Sequence, residues 1–387
     1  MIQNKTYLTN ATALRGIAAL LVVVFHGNEI IAPFIGTEAT FWFRKLYLMV
    51  DLFFILSGFI MCYVYESFFL DSNQVNKIGV FLKARFARIY PLHFITLMVC
   101  VGCAGITYLI GKGEYLGVVD KAINDFSALP AQLLLLNSAH LDTVFKWNIP
   151  SWSISAEWIA YLIFPFLVKP FSKFNKVQTF LAIFFITLLY AGLVFWISPN
   201  KYILFPFLTA GRDLDLTYDW GFLRGILGFT LGMCVYRLYV TNFLKSKIGS
   251  DFFLLIIVAV YSIYSHFNFS DVLAPHFFAL IVLSTVYGSN GMNRFYRNSI
   301  LQKLGDWSFS IYMWHIVLFS VTMSIKIWIM NAPPVDGPPE PPNYFGLTST
   351  VGILSIYFVA TILLGALSFK YIERPCRIWI NGLGKRA

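Results

Sequence analysis

Apolar residues gather along this chain in blocks of about twenty, parted by short polar stretches. A block of that length with few charges is long enough to cross the hydrocarbon core of a bilayer as a helix. A helix also satisfies its own backbone hydrogen bonds, which lipid cannot do. Blocks of this kind lie at roughly 11–31, 48–68, 89–110, 151–168, 178–198, 220–240, 252–268, 271–289, 306–330 and 347–370. The seventh and eighth are joined by a short turn near Asp271. The pattern predicts an all-α polytopic membrane bundle of about ten transmembrane helices. A single domain is expected over 1–387, with its core at about 8–375, no internal repeat and no separate soluble domain.

Composition agrees with this reading. Of 387 residues, 58% are hydrophobic and 12% charged, against about 25% charged in a soluble domain. The 39 Phe suit side chains that face lipid. The segment "MIQNKTYLTN" lacks a strongly basic start and no A-x-A site follows, so the first block is expected to stay as an anchor. Five Cys, four of them in apolar runs, argue against a disulfide framework. Cys100 and Cys103 form a CxxC inside a span and read as small packing residues.

The net charge of +10 is explained by topology rather than by nucleic acid, because the basic residues fall between the blocks. With a cytoplasmic N-terminus, 19 of the 29 Lys and Arg occupy inside segments, 7 outside segments and 3 the spans themselves. The positive-inside rule then predicts both termini cytoplasmic. The outer segment 331–343, "NAPPVDGPPEPPN", is proline-rich and reads as a stiff, extended connector.

Ionisable groups within spans mark the candidate chemistry, since such groups are costly in lipid and tend to line a path for a substrate. In "ALRGIAALLVVVFHGNE", Arg15 and His26 are eleven residues apart. That is three helical turns, so both side chains share a face, about 16 Å apart along the axis. Each alone could instead be satisfied by headgroups or a neighbouring helix. Asp51, in "YLMVDLFFILSGFIM", lies at a depth similar to His26 and is a candidate to hold its tautomer. Ser57-Gly58 in the same stretch reads as a close-packing pair.

"FLKARFARIYPLHF" puts Arg85 and Arg88 on one face at i, i+3, a fork suited to phosphate. His93 there reads as packing. "NIPSWSISAEWIAYLIFP" sets Ser153 and Glu157 on one face at i, i+4. Trp147, Trp152 and Trp158 suit an interfacial belt, and Trp152 also suits stacking on a sugar. Arg224 is expected to pair with Glu157 or an acidic substrate. His315, in "LGDWSFSIYMWHIVLF", is open between a structural, a binding and a relay role. His140, His266 and His276 show no metal spacing, and no metal site is expected.

At these residues the sequence resembles the membrane-bound acyltransferase family 3. The stretches that carry the resemblance are Arg15-x10-His26, "VDLFFILSGFIM", Arg85-x-x-Arg88, "PSWSISAE", "SFSIYMWH" and "YIERP". The resemblance implies transfer of an acyl group, commonly acetyl, from cytoplasmic acetyl-CoA or another acyl-CoA to a hydroxyl of a cell-surface glycan or lipid-linked oligosaccharide. "VDLFFILSGFIM" looks most like exopolysaccharide- and O-antigen-modifying members. The implied setting is the bacterial plasma (inner) membrane, with no tightly bound cofactor.

On this reading Arg15, Arg85 and Arg88 bind the phosphates of the donor. The donor's thin arm spans the 16 Å from Arg15, estimated from the helical rise, and brings the thioester to His26. His26 is the general base, Asp51 its orienter, and Glu157 the runner-up base or an acceptor ligand. Ser153, Trp152, Arg224 and His315 support the acceptor. A transporter or a non-catalytic partner of polysaccharide export are the competing readings. The charge split makes one expectation directly checkable. In a variant with its five native cysteines replaced, Asp336→Cys should react with an impermeant maleimide added outside the cell; reaction from the inside alone would invert the topology.

Overall fold

The computed structural model of the protein describes residues 8–31, 35–71, 75–113, 118–142, 144–198, 213–330 and 347–383. The proline-rich stretch 331–343 lies outside them. Among the described residues there is no strand. The principal helices are α1 (Thr9–His26), α2 (Met49–Leu70), α3 (Lys77–Leu109), α4 (Ser151–Ser172), α5 (Lys176–Gly192), α6 (Gly221–Val240), α7 (Asp251–His266), α8 (Ala274–Tyr287), α9 (Asn290–Tyr296), α10 (Ser299–Met330), α11 (Leu347–Ser368) and α12 (Arg374–Gly382). α1 runs on into a wider π turn at Gly27–Ile31, and a second π turn at Phe369–Glu373 joins α11 to α12.

Local chemistry sets several of the helix starts. At α5, Asn175 Oδ1 accepts from the Gln178 backbone N–H at 2.9 Å, and Gln178 Oε1 accepts from the Asn175 N–H at 3.0 Å. Two otherwise orphaned donors are thereby paired reciprocally. Ser250 caps α7 in the same sense, accepting from the Phe253 N–H. Gly288, at φ +60°, lets the chain leave α8 in a conformation other residues rarely adopt, and Ser289 then caps α9.

Each of the ten apolar blocks contains a helix, but not ten full spans. Among the described residues eight helical segments are long and apolar enough to cross a membrane. The block at 271–289 is half of a bent pair with α9, turned by 96° near Gly288, and makes a ninth if the pair is taken as one span. α7 has 16 residues, about 24 Å at the helical rise, which is short of the roughly 30 Å hydrocarbon core.

Lipid-facing helices are recognised by what they leave uncovered. α5 exposes Phe184, Phe185, Leu188 and Leu189, and α11 exposes Ile356, Val359, Leu363 and Leu367 at helical spacing. The inner helices are α1, α2, α4, α6, α8 and α10. Trp147 and Trp152, expected in an interfacial belt, are instead only 2% and 6% exposed. The Trp147 indole N–H donates to the Asp125 carbonyl at 3.0 Å. In that loop, outside the spans, hydrogen bonds from Ser127, together with Lys146, hold the Asp125 carboxyl down to about 2.

Two crossings bring helix backbones into contact, as small residues allow in a membrane where apolar burial between helices gives little drive. A Cβ on Gly16 of α1 would stand 2.6 Å from Gly305 N of α10, and one on Gly305 would stand 2.1 Å from Thr12 O. Between α2 and α6, a Cβ on Gly58 would meet Phe229 O at 1.9 Å, and one on Gly232 would meet Ile55 O at 2.1 Å. Ser57-Gly58 is therefore a point of close approach, as read from the sequence. Backbone atoms cannot step aside as a side-chain tip can. Gly305→Ala and Gly58→Ala should each destabilise the protein by about 1–3 kcal/mol, the usual cost of overpacking. Gly102→Ala meets nothing within 4 Å and serves as the neutral control. Thermal unfolding in detergent reads the difference, and equal midpoints for all three variants would contradict the crossings.

Candidate active site

α1, α2, α3, α4 and α10 surround a cavity of about 130 Å³. It follows α2 from Val50 to Met61, a length of roughly 16 Å at 1.5 Å per residue. Val50, Phe53, Phe54, Ile60 and Met61 make the α2 side of its wall mainly apolar, and polar groups stand at its two ends and midway.

Arg15, Arg85 and Arg88 line one end. Arg15 donates from Nε to Ser308 Oγ at 3.0 Å and from Nη2 to the Gly305 carbonyl at 3.1 Å. Arg85 donates to Tyr65 Oη at 2.9 Å and lies over the Tyr65 and Tyr161 rings, while its buried Nε–H has no partner among the described residues. Arg88 pairs with Glu373 and rests on the Phe309 ring. The second oxygen of Glu373 accepts from Ser310 Oγ at 2.9 Å. Three guanidinium groups from two helices thus converge on one space. Glu373 stands behind Arg88, outside the cavity wall, and Glu157 is the carboxylate among the described wall residues.

Midway along the cavity, Ser57 Oγ donates to Glu157 Oε1 at 2.7 Å and lies 3.1 Å from Tyr161 Oη, which also donates to Glu157. Toward the other end, Ser153 and Tyr312 face each other with their hydroxyls 2.7 Å apart. Ser153 and Glu157 both reach the cavity, as their spacing on α4 requires.

His26 does not line the cavity. It stands at the last turn of α1, where the helix widens into the π turn, and its Nδ1 lies 3.1 Å from both the Val22 carbonyl and His315 Nε2. π turns inside helices occur often at functional sites. His315 is fully buried and bonds through Nδ1 to the carbonyl of Tyr312. Tyr312 therefore joins the two features, its side chain in the cavity wall and its backbone under the histidine pair.

Two expected pairings are corrected. Asp51 does not orient His26, and Arg224 does not pair with Glu157. Arg224 donates from Nε to Asp51 Oδ1 at 3.0 Å and from Nη2 to Oδ2 at 2.6 Å, both side chains being wholly buried. This two-pronged pair occupies both oxygens of the carboxylate, and Glu157 already accepts from Ser57 and Tyr161. Trp152 lies beneath the Arg224 guanidinium at 5.3 Å rather than open to a sugar. His93 packs inside, its Nε2 2.8 Å from the Gln132 carbonyl.

Glu373, Tyr161 and Tyr65 belong to this site and were not read from the sequence as site residues. "YIERP" marked the place of Glu373, but its partner is 285 positions away. Among the described residues no three His, Cys, Asp or Glu side chains gather as a metal ion would require, and none of the five Cys forms a disulfide.

Asp51→Ala should strip the buried Arg224 of its countercharge. Breaking such a pair from one side typically costs about 3–5 kcal/mol, whereas replacing both partners by apolar groups is often neutral. Asp51→Ala should therefore give unfolded or aggregated protein, and the double variant Asp51→Leu/Arg224→Met should recover a folded one. A fully stable Asp51→Ala protein would contradict a structural role for the pair.

The chain was compared with known proteins. A family model described as "Acyltransferase domain" matches residues 9–370. The acyltransferase MdmB of Streptomyces mycarofaciens is 23% identical over 98% of this chain and 93% of its own length. Protein 2 in the picA locus of Rhizobium radiobacter is 37% identical over 39% of this chain and 77% of its own length. A protein of Staphylococcus aureus (strain COL), provisionally named an O-acetyltransferase, is 23% identical over 97% of this chain and 58% of its own length. No solved structure matches.

Proposed function

Because the chain belongs to the acyltransferase 3 family and is a multi-pass membrane acyltransferase, we propose that it moves an acetyl group from cytoplasmic acetyl-CoA to a hydroxyl of a cell-surface or lipid-linked glycan. The observation that carries the proposal is the cavity itself. Three arginines gather at one end, a corridor of about 16 Å follows with mainly apolar side chains along α2 and Ser57, Glu157 and Tyr161 midway, and the far end abuts the His26–His315 pair through Tyr312. A phosphate-rich head on a long thin arm with a thioester at its tip has that shape.

The phosphates bind Arg15, Arg85 and Arg88. The unpartnered Nε–H of Arg85 supports an anion there, since a buried donor left alone is costly. The pantetheine arm lies against the Val50–Met61 face of α2. The acceptor approaches from the opposite end, near Ser153 and Tyr312.

Transfer is direct. His26 takes the proton of the acceptor hydroxyl as that oxygen bonds to the thioester carbonyl carbon. The carbon–sulfur bond then breaks, and the departing CoA thiolate takes the proton back from His26. The products are an acetyl ester and CoA thiol. An imidazole suits this task near neutral pH, its reference pKa being about 6.5. Glu157, held by Ser57 and Tyr161, is the second candidate base or an acceptor ligand. The basic end faces the cytoplasm, following the bias of Lys and Arg, and the setting is a bacterial plasma (inner) membrane.

His26→Ala should lose on the order of 10²–10⁴ in transfer rate while still binding CoA. Near-normal transfer by the folded variant would remove His26 from the chemistry. An acylated side chain trapped without acceptor would replace direct transfer by a two-step route.

The donor site is better tested at Arg85 than at Arg88, since losing Arg88 strands the buried Glu373 carboxylate. Arg85→Gln should weaken CoA binding about 10- to 150-fold, the equivalent of a charge-assisted contact of about 1.5–3 kcal/mol. Unchanged CoA affinity in calorimetry would exclude Arg85 from the donor site.

A further inference from the structure

The histidine pair carries more than proximity, because its hydrogen bonds determine where each proton sits. His315 Nδ1 faces the Tyr312 carbonyl, which can only accept, so this nitrogen bears the hydrogen. In a neutral ring the other nitrogen, Nε2, then presents a lone pair. That lone pair lies 3.1 Å from His26 Nδ1. His26 Nδ1 also lies 3.1 Å from the Val22 carbonyl, again a pure acceptor. Two acceptors on one ring nitrogen require it to be N–H. The Nε2 of His26 is thereby left as the free base.

A protonated His315 does not fit the same contacts. Its Nε2–H would point at His26 Nδ1, which would have to accept, and the Val22 carbonyl would then face a lone pair. The neutral arrangement satisfies the Tyr312, His315, His26 and Val22 contacts together.

Resting on His26 as the base, we propose that His315 is a positioning residue. It fixes His26 in the Nδ1–H form and receives the hydrogen bond that strengthens when His26 becomes an imidazolium. The Val22 carbonyl by itself holds the ring less well, because a helix carbonyl already serves the backbone N–H four residues on. His315 is set where it can do this from outside the reacting atoms: it is wholly buried and absent from the cavity wall, whereas His26 is partly accessible. When the acceptor's proton arrives at His26 Nε2, the Nδ1–H of the resulting cation points at the His315 lone pair. The proton on Nε2 is the one returned to the CoA thiolate, so His315 begins and ends the cycle unchanged. This is the part a carboxylate plays in many catalytic histidine pairs. Here a neutral ring fills it, and Asp51, the carboxylate expected in that place, is committed to Arg224.

The test uses full-length protein labelled with ¹⁵N-histidine, and the variants His315→Gln and His315→Leu. Gln can keep an acceptor toward His26; Leu cannot. Long-range ¹H–¹⁵N spectra should show His26 as a single Nδ1–H form in the parent and in His315→Gln, and as a mixture of forms in His315→Leu. With acetyl-CoA as donor, His315→Leu should lose roughly 10- to 100-fold in kcat, the scale known for groups that orient metal-bound imidazoles from behind. Its KM for acetyl-CoA should not change, and His315→Gln should recover most of the rate.

His26 found as Nε2–H in the parent, or unchanged in form and kcat in His315→Leu, would overturn the inference. So would equal loss in the Gln and Leu variants at the same thermal midpoint, which marks a packing role. The spectra are independent of turnover. If they follow the expected pattern while His26→Ala still transfers acetyl groups, the tautomer lock stands and the assignment of His26 as base falls.

Discussion

A charge held inside a bilayer has to be answered by another group of the same protein. That constraint governs how these helices assemble. Arg224 of α6 is answered by Asp51 of α2, Arg88 of α3 by Glu373 at the end of the π turn before α12, Arg237 of α6 by Glu66 of α2, and Lys45 by Asp271. Each pair ties distant parts of the chain together. Apolar packing cannot supply that specificity, because a leucine face is served almost as well by lipid as by another helix. The ion pairs are better regarded as devices of register than as sources of stability, since desolvation offsets much of their attraction.

The same constraint makes the cavity unusual. Arg15, Arg85 and Arg88 are brought to one wall, and their partners are mostly hydroxyls, carbonyls and aromatic faces. Glu373 answers Arg88, but Arg85 is met by Tyr65 and keeps a buried N–H without a partner among the described residues. Close approach of the helix backbones gives this wall rigidity. α1 meets α10 at Gly16, next to Arg15, and at Gly305, one turn before Ser308, so the first arginine is fixed by a crossing with no slack.

At the other end, polarity is arranged without net charge. Ser153, Tyr312, His315 and His26 form a chain of neutral groups. Neutral hydrogen bonds avoid the cost of burying ions, and a neutral imidazole is the form a base must have before it acts. The two ends of the cavity thus differ in physical kind, one suited to holding a polyanion and the other to moving a proton.

Much of this was legible in the sequence. The apolar blocks located the helices, because hydropathy and helical rise are local properties. Ser153 and Glu157 share the cavity because a helix returns to the same face after four residues. Charge topology put Arg15, Arg85 and Arg88 near the cytoplasmic side, and the family resemblance, not local pattern, implied that they act together. What local pattern could not supply was the choice of partner. Asp51 and His26 lie at matching depths on neighbouring helices, yet depth says nothing about the direction in which a side chain points around its helix relative to a third element. Arg224, 173 positions along the chain, turns toward Asp51 and saturates it. His315, 289 positions from His26, takes the place that Asp51 was expected to fill. Trp152 looked interfacial by type and depth, and tertiary packing put Arg224 above it instead. Segment length and periodicity are decided within a few turns of helix, so the sequence determined them; which buried group satisfies which is decided by helix rotation and crossing, and those exist only once all the helices are packed.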